Sequence, residues 1–120
     1  MNEGRPRFSV RTEHAGPSTV VVVVTGEVDI ETAPTFEREL AGVVEGGFPK
    51  ALIVDLTAVT FIDSTGLTAL VRAFERQRLA GNQLGIVSDD SRVAMMLEVS
   101  RLDRVLRTYR TCEEALASFE

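Results

Sequence analysis

The sequence predicts an α/β domain that contains a mixed, mostly parallel β-sheet. Short apolar runs of strand length alternate with segments whose apolar residues recur every three or four positions, as they do in helices. Turns that contain glycine or proline separate most of these segments. With 120 residues, of which 44% are hydrophobic and 26% charged, the chain has the size and composition of a single globular domain.

The first two strand-like segments are joined by a short turn. The segments "FSVRTEH" and "STVVVVVTG" flank the turn "AGP", and strands connected this closely pair in antiparallel fashion. The five consecutive valines lack polar alternation, which predicts that the second strand is covered on both faces. Residues 1–7 are polar and contain Gly4 and Pro6. We therefore expect residues 1–7 to form a flexible N-terminal segment and residues 8–120 to form the domain.

The middle of the chain predicts a helix, a strand and a second helix. The segment "TAPTFERELAGVVEGG" has Thr32 as a candidate N-cap and ends at Gly46 and Gly47. The apolar run in "KALIVDL" predicts a buried strand that ends near Leu56. The segment "DSTGLTALVRAFERQRLAG" has helical spacing, and Gly81 marks its end.

The last third of the chain continues the alternation. We predict a strand in "NQLGIVS", a short helix in "DDSRVAMMLEVS" behind an Asp/Ser cap, and a more exposed final strand in "DRVLRTY". A closing helix, "TCEEALASF", has Thr111 and Glu114 at the spacing of a capping box. The total is about four helices, with right-handed crossovers between the parallel strands.

Charge and composition exclude several classes of function. The net charge of −5 is spread over 18 acidic and 13 basic residues without a long run of either sign, which disfavours a nucleic-acid surface or an anionic membrane as partner. The longest apolar run, "VVVVV", is too short to cross a bilayer. Cys112 is the only cysteine, so no intrachain disulfide can form. We expect a soluble, cytoplasmic protein.

The stretch "FIDSTGLTAL" interrupts the apolar pattern with Asp63, Ser64, Thr65 and Gly66. These residues suit the start of a helix, where a side-chain oxygen caps free backbone N–H groups. The same position suits a modification site, because the helix dipole favours an added phosphoryl group while Asp63 opposes its charge. The residues alone leave both interpretations open.

Enzyme chemistry finds little support in the sequence. A serine nucleophile at Ser64 needs a base, and His14 is the only histidine. One cysteine and one histidine do not make a metal site, and no glycine-rich segment has the spacing of a phosphate-binding loop. We therefore predict no catalytic residues, no metal and no cofactor.

Three segments, in this order, closely resemble the STAS-domain family: "VTGEVDIETAP", "LIVDLTAVTFIDSTGL" and "GNQLGIVSDDSRVAMMLEVSRLDRVLRTYRTCEEAL". The likeness extends from about Phe8 to Phe119, and "DSTGL" after an apolar strand is its most specific portion. More narrowly, the sequence is similar to bacterial anti-sigma-factor antagonists, also called anti-anti-sigma factors. The resemblance implies a single STAS domain over residues 8–120.

The resemblance also implies a regulatory cycle. The unmodified antagonist binds an anti-sigma factor that is also a serine kinase, and this binding releases a sigma factor. Phosphorylation by that kinase inactivates the antagonist, and a PP2C-type phosphatase restores it. We expect a protein of this kind to be a monomer when free, without nucleic-acid binding or membrane insertion.

The resemblance transfers roles to particular residues of this chain. Ser64 is the implied phosphoacceptor, and Thr65 ranks second. Asp29, Asp63 and Gly66 are implied to lie near the acceptor. Leu67, Thr68 and Arg72 are expected on the outer surface of the following helix as partner contacts, and Thr68 stands where the family often has glycine.

Two other functions compete with this interpretation. A STAS domain can instead serve as an interaction module of a transporter or lipid-trafficking complex, without control by phosphorylation. The other alternative is a small hydrolase that uses Ser64. Turnover of simple esters that disappears in both Ser64→Ala and His14→Ala would support the hydrolase.

Overall fold

A computed structural model describes residues 7–47, 49–89 and 91–119 of the chain. The flexible segment predicted at residues 1–7 therefore lies almost entirely outside the described residues. The described strands are β1 (Ser9–His14), β2 (Thr19–Val28), β3 (Ala51–Ile62), β4 (Gln83–Val87) and β5 (Arg107–Tyr109), and the α-helices are α1 (Ala33–Gly47), α2 (Ser64–Leu79), α3 (Ser91–Val99) and α4 (Cys112–Ser118).

The five strands form one mixed sheet in the order β1-β2-β3-β4-β5. β1 pairs antiparallel with β2, and every other neighbouring pair is parallel. This arrangement confirms the fold class and the antiparallel first strand expected from the sequence. Because strand order follows chain order, right-handed crossovers put the connecting helices on the same face of the sheet.

The two faces of the sheet are covered unequally. The main core lies under α1, α2 and α3, where side chains such as Val22, Phe36 and Leu70 are fully buried. On the opposite face, α4 covers a smaller cluster that includes Val21 and Ile53. The valine run of β2 therefore contributes to both faces, as its lack of polar alternation predicted.

The prediction that the strand after α1 ends near Leu56 is wrong. β3 continues for six more residues to Ile62. Its pairing with β2 shifts at Val23/Thr25 and at Gly26/Glu27, so that β3 holds one extra residue at each place. These bulges break the alternation of buried and exposed side chains, which is why the sequence pattern stopped early. Gly26 lies there with φ of +94°, a conformation that glycine adopts without strain.

The strand predicted over residues 103–109 is also shorter than expected. Only Arg107–Tyr109 is extended, and Leu102–Arg104 form a turn of 3₁₀ helix. The N–H groups of Val105 and Leu106 both donate to the carbonyl of Leu102. Val105 and the buried Leu106 lie between this turn and β5. The apolar pattern over residues 103–109 therefore covers a turn, a connection and a strand rather than one strand.

The helix ends agree with most of the predicted caps. Gly81 follows α2 with φ of +78°, and the hydroxyl of Thr111 accepts from the N–H of Glu114 at 3.1 Å at the start of α4. The Asp/Ser cap predicted before α3 involves Asp90 and the side chain of Ser91, which lie outside the described residues.

Candidate functional site

The candidate site lies where β2 and β3 end side by side. Asp29 directly follows β2, and Asp63 directly follows β3. The two ends are joined by the N–H of Asp63, which donates to the carbonyl of Val28 at 3.1 Å. Parallel pairing therefore brings both aspartates to the same end of the two strands.

Asp63 is the N-cap of α2. Its backbone is extended, and its carboxylate oxygen Oδ1 accepts from the N–H of Thr65 at 2.9 Å and from the N–H of Gly66 at 3.4 Å. The same oxygen also accepts from the hydroxyl of Thr65. The capping interpretation of the "DSTG" stretch is thus confirmed, with Asp63 rather than Ser64 as the cap.

These hydrogen bonds keep Asp63 charged. Partial burial by itself raises the pKa of Asp63, but the hydrogen bonds from the Thr65 hydroxyl and from the Thr65 and Gly66 N–H groups outweigh it. The pKa therefore lies below its usual value. A fixed negative charge stands beside the first residue of α2 at neutral pH.

Ser64 and Thr65 differ in how free their hydroxyl groups are. Ser64 is the first residue of α2 and is exposed, and no residue within 7–47, 49–89 and 91–119 forms a hydrogen bond with its hydroxyl. Thr65 is half-buried, and its hydroxyl is engaged by Asp63. Of the two candidate acceptors, Ser64 is the accessible one.

Asp29 caps a turn rather than a helix. Its Oδ1 accepts from the N–H groups of Glu31 and Thr32 at 3.0 and 3.1 Å. The Thr32 hydroxyl accepts from the N–H of Asp29 and donates to the carbonyl of Glu27 at 2.7 Å. Thr32 does precede α1, as predicted, but its hydroxyl forms hydrogen bonds within this turn, to Asp29 and Glu27, instead of capping the helix.

Gly66 lies where α2 packs closest to the ends of the two strands. A Cβ atom at this position would come within 2.7 Å of Cγ1 of both Val28 and Ile62. Real Cβ contacts do not occur at such a distance, so the packing requires glycine. Gly66 thereby holds the first turn of α2, and with it Ser64, directly against the sheet.

The residues predicted on the outer surface of α2 do not all lie there. Leu67 is 7% exposed and belongs to the main core, so its predicted surface position is wrong. Thr68 is exposed, and its hydroxyl donates to the carbonyl of Ser64 at 2.8 Å. Arg72 is exposed and forms an ion pair of 2.5 Å with Glu37 of α1.

Two exposed apolar side chains near the site were missed from the sequence. Ile30, directly after Asp29, is 74% exposed, and Phe61, three residues before Ser64, is 45% exposed. An isoleucine between two acidic residues in "VDIET" was the available signal for the first. Phe61 gave no signal, because the bulges in β3 decide which way it points.

The structure separates His14 from Ser64. His14 pairs with Val20 at the start of β2, whereas the candidate site lies beyond Val28 at the other end. Eight residues of strand span roughly 25 Å, so His14 cannot act as a base for Ser64. This geometry removes the base that the hydrolase hypothesis requires.

The environment of Cys112 does not favour a reactive thiolate. Burial raises the pKa of Cys112, and the carboxylates of Asp55, Glu113 and Glu13 raise it further.

In the part of the chain that the structure describes, no helix combines the length and apolar character needed to cross a bilayer.

The sequence model of the STAS domain matches residues 10–115, and the chain belongs to the STAS-domain family. Its curated relatives include proteins named as anti-sigma factor antagonists. One is the anti-sigma-F factor antagonist RsfB of Mycobacterium tuberculosis, which is 32% identical over 104 residues, covering 87% of this chain and 82% of RsfB. Another is the anti-sigma-B factor antagonist of Listeria monocytogenes, with 30% identity, 82% of this chain and 86% of the relative covered.

Solved structures agree with the fold. An anti-sigma factor antagonist from Mycobacterium paratuberculosis superposes with a TM-score of 0.86 at 30% identity, with 94% of each chain covered. Unphosphorylated SpoIIAA, also an anti-sigma factor antagonist, gives a TM-score of 0.78 at 18% identity, with 90% of this chain and 93% of SpoIIAA covered. The second comparison supports the fold alone.

Proposed function

We propose that this protein is an anti-sigma-factor antagonist controlled by phosphorylation of Ser64. In the unmodified form it binds an anti-sigma factor that is also a serine kinase, and this binding frees a sigma factor. The proposal is supported by the names of its relatives at about a third identity over most of both chains. One structural observation carries it: Ser64 presents an accessible hydroxyl on the first residue of α2, directly beside the charged cap Asp63.

The rigid surroundings of Ser64 suit a phosphoacceptor. A kinase must reach the hydroxyl oxygen, and Ser64 is exposed. Its backbone is fixed by the capping bonds of Asp63 and by the tight packing of Gly66. Transfer of the terminal phosphoryl group of ATP to Ser64 Oγ would release ADP and the hydroxyl proton. Thr65 is the weaker acceptor because Asp63 engages its hydroxyl.

The charge of the site explains how phosphorylation reverses binding. A phosphoryl group adds about −1.5 to −2 charges at neutral pH, next to an Asp63 whose lowered pKa keeps it ionised. Asp63 already accepts from the N–H groups of Thr65 and Gly66, so the phosphoryl group would have to compete for them. A partner surface that fits Ser64 with its hydroxyl would face strong added negative charge and a desolvation cost.

The partner surface extends from Ser64 along the exposed side of α2 and onto the neighbouring turn. Thr68 and Arg72 belong to the helix portion, and Arg72 keeps its ion pair with Glu37 or exchanges it for an acid of the partner. Ile30 and Phe61 add apolar area at the same edge of the sheet. An apolar centre with polar residues around it is typical of protein interfaces. A PP2C-type phosphatase would restore the hydroxyl and with it the binding surface.

The test is incubation with a purified anti-sigma factor kinase and Mg-ATP, followed by intact mass measurement and peptide mapping. One phosphoryl group on the peptide that contains Ser64 is expected, and none in Ser64→Ala. Ser100→Ala is the matched control, because it removes an exposed serine hydroxyl directly after α3, outside the proposed partner surface, and should leave modification intact. Absence of modification with several active kinases would favour a STAS interaction module that phosphorylation does not control.

A further inference from the structure

The sheet has two unequal edges. β5 contains only three residues, whereas β1 contains six and pairs with β2 in a regular register without a shift. The β1 sequence, SVRTEH, holds no proline or glycine. An edge strand of this kind presents N–H and C=O groups that can pair with a further strand.

The alternation of hydrogen-bonded pairs between β1 and β2 shows which backbone groups of β1 face away from the sheet. The N–H of Ala15 donates to the carbonyl of Thr19 at 2.9 Å, so residues 15 and 19 form a hydrogen-bonded pair. Hydrogen-bonded and non-hydrogen-bonded pairs alternate along an antiparallel ladder. The backbone groups of Val10, Thr12 and His14 therefore face away from β2.

These three residues suit antiparallel pairing with a second copy of β1. With a two-fold axis at Thr12, the outward groups of Thr12 meet those of Thr12 in the other copy. The outward groups of Val10 meet those of His14. Every outward N–H and C=O of the strand then has a partner, and the same surface is used by both copies, as two-fold symmetry requires.

The charges of β1 select this register. Arg11 and Glu13 lie on the same face, with Arg11 Nε 3.2 Å from Glu13 Oε1. Around Thr12, Arg11 of each copy stands opposite Glu13 of the other in a non-hydrogen-bonded pair, where side chains come closest. An axis at Val10 puts Arg11 opposite Ser9, and an axis at His14 puts Glu13 opposite Ala15. Only the Thr12 register forms two ion pairs between the copies.

We propose that β1 pairs antiparallel with β1 of a second copy around Thr12, which makes a two-fold dimer with one continuous sheet. The proposed dimer differs from the monomer expected from the sequence. Ser64 follows β3, two strands inward from the edge, so both copies keep an accessible acceptor. Glu39, which accepts from the Thr12 hydroxyl at 2.8 Å, comes close to its counterpart near the axis and opposes the dimer. Glu39→Gln should therefore strengthen association.

The test is sedimentation equilibrium over a concentration series at low salt. The wild-type chain should approach twice its monomer mass of 13.1 kDa. Thr12→Pro removes an outward N–H that β2 does not use, so this variant should sediment as a monomer and show a folded circular dichroism spectrum. Wild-type protein that stays monomeric up to its solubility limit, or a dimer unaffected by Thr12→Pro, would overturn the proposal.

A charge swap distinguishes pairing between copies from the ion pair within one copy. Arg11→Glu and Glu13→Arg each put like charges across the axis, and each alone should dimerise at least tenfold more weakly. Mixed together, the two variants place opposite charges across the axis and should form a heterodimer. An ion pair within one chain cannot be repaired by mixing, so mixed samples that remain monomeric would contradict the register.

Discussion

The turn after β2 and the turn after β3 are held by similar hydrogen bonds to an aspartate, but they lead into different local structures. In each, an aspartate directly follows a strand, and one carboxylate oxygen accepts from two backbone N–H groups. Asp63 also accepts from the Thr65 hydroxyl, whereas the Thr32 hydroxyl donates its one proton to the carbonyl of Glu27. After β3, the helix begins at the next residue, Ser64. After β2, α1 begins only at Ala33, and the intervening turn is fixed by Thr32.

A capping aspartate therefore does not by itself mark the proposed phosphoacceptor. Both turns are rigid and both are anchored by carboxylate hydrogen bonds. They differ in the exposed residue that directly follows the aspartate, which is Ile30 after β2 and Ser64 after β3. They also differ in whether that residue begins a helix. The hydroxyl at a helix start, not the aspartate, distinguishes the second turn.

The largest effect on stability is expected at Gly66, which has no counterpart in the first turn. Gly66→Ala puts a Cβ within 2.7 Å of the branched side chains of Val28 and Ile62, and such overpacking costs about 1–3 kcal/mol. Gly42→Ala in α1 is the control, because its Cβ meets nothing within 4 Å. That change should stabilise the protein by about 0.5–1 kcal/mol.

Urea denaturation of both glycine variants measures this difference. If Gly66→Ala were as stable as the wild-type protein, the tight packing of α2 onto the strand ends would be incorrect. The position of Ser64 would then lack the support inferred for it.

The two aspartates should differ in their contribution to stability. Asp63→Ala removes the N-cap of a helix of 16 residues and should cost about 0.5–2 kcal/mol. Asp29→Ala removes the acceptor of a turn and should cost less, because no helix end depends on it directly. Thermal unfolding monitored by circular dichroism compares them, and a larger loss in Asp29→Ala would reverse the ranking.

The contribution of Asp63 should depend on pH. Its pKa is lowered in the folded state, so the stabilisation by its charge is complete above the unfolded pKa of about 3.9. It is lost as the pH falls through the folded pKa. The stability difference between wild type and Asp63→Asn should be constant near neutral pH and shrink below about pH 4. A difference that stays constant down to pH 2 would contradict a charged cap.

The smallest effect on stability is expected for Ile30→Ser. Ile30 is 74% exposed, so the free energy of unfolding should change by less than about 0.5 kcal/mol. Placed in a Ser64→Ala background, this change puts a serine after an aspartate but away from a helix start. We expect no phosphoryl group on it by mass spectrometry, and efficient modification there would show that the helix start is dispensable.

The sequence predicted the architecture because each helix and strand carried its own signal. Helical spacing and the closing glycines located α1 and α2, and the "AGP" turn predicted the antiparallel first strand. The length of β3 could not be predicted, because two bulges reverse the alternation after Leu56. The final strand was overestimated because Val105 and Leu106 lie between the 3₁₀ turn and β5, and their N–H groups donate to the carbonyl of Leu102.

The site was predictable in part. The order of residues in "DSTGL" was enough to mark a helix start and a candidate acceptor, but not to tell which side chain caps the helix. Leu67 was misplaced because the direction of a side chain on α2 depends on how the helix docks on the sheet. The exposure of Phe61 likewise follows from the bulges, which no local pattern revealed.

Binding of the two forms to an anti-sigma factor kinase tests the central claim most directly. Protein phosphorylated on Ser64 can be separated by ion exchange and titrated against the kinase without Mg-ATP, beside the unmodified protein. We predict that the unmodified form binds at least about tenfold more tightly, a difference of about 1.4 kcal/mol. Equal affinities would contradict a switch at Ser64, and "DSTG" would then be a helix cap without a regulatory role.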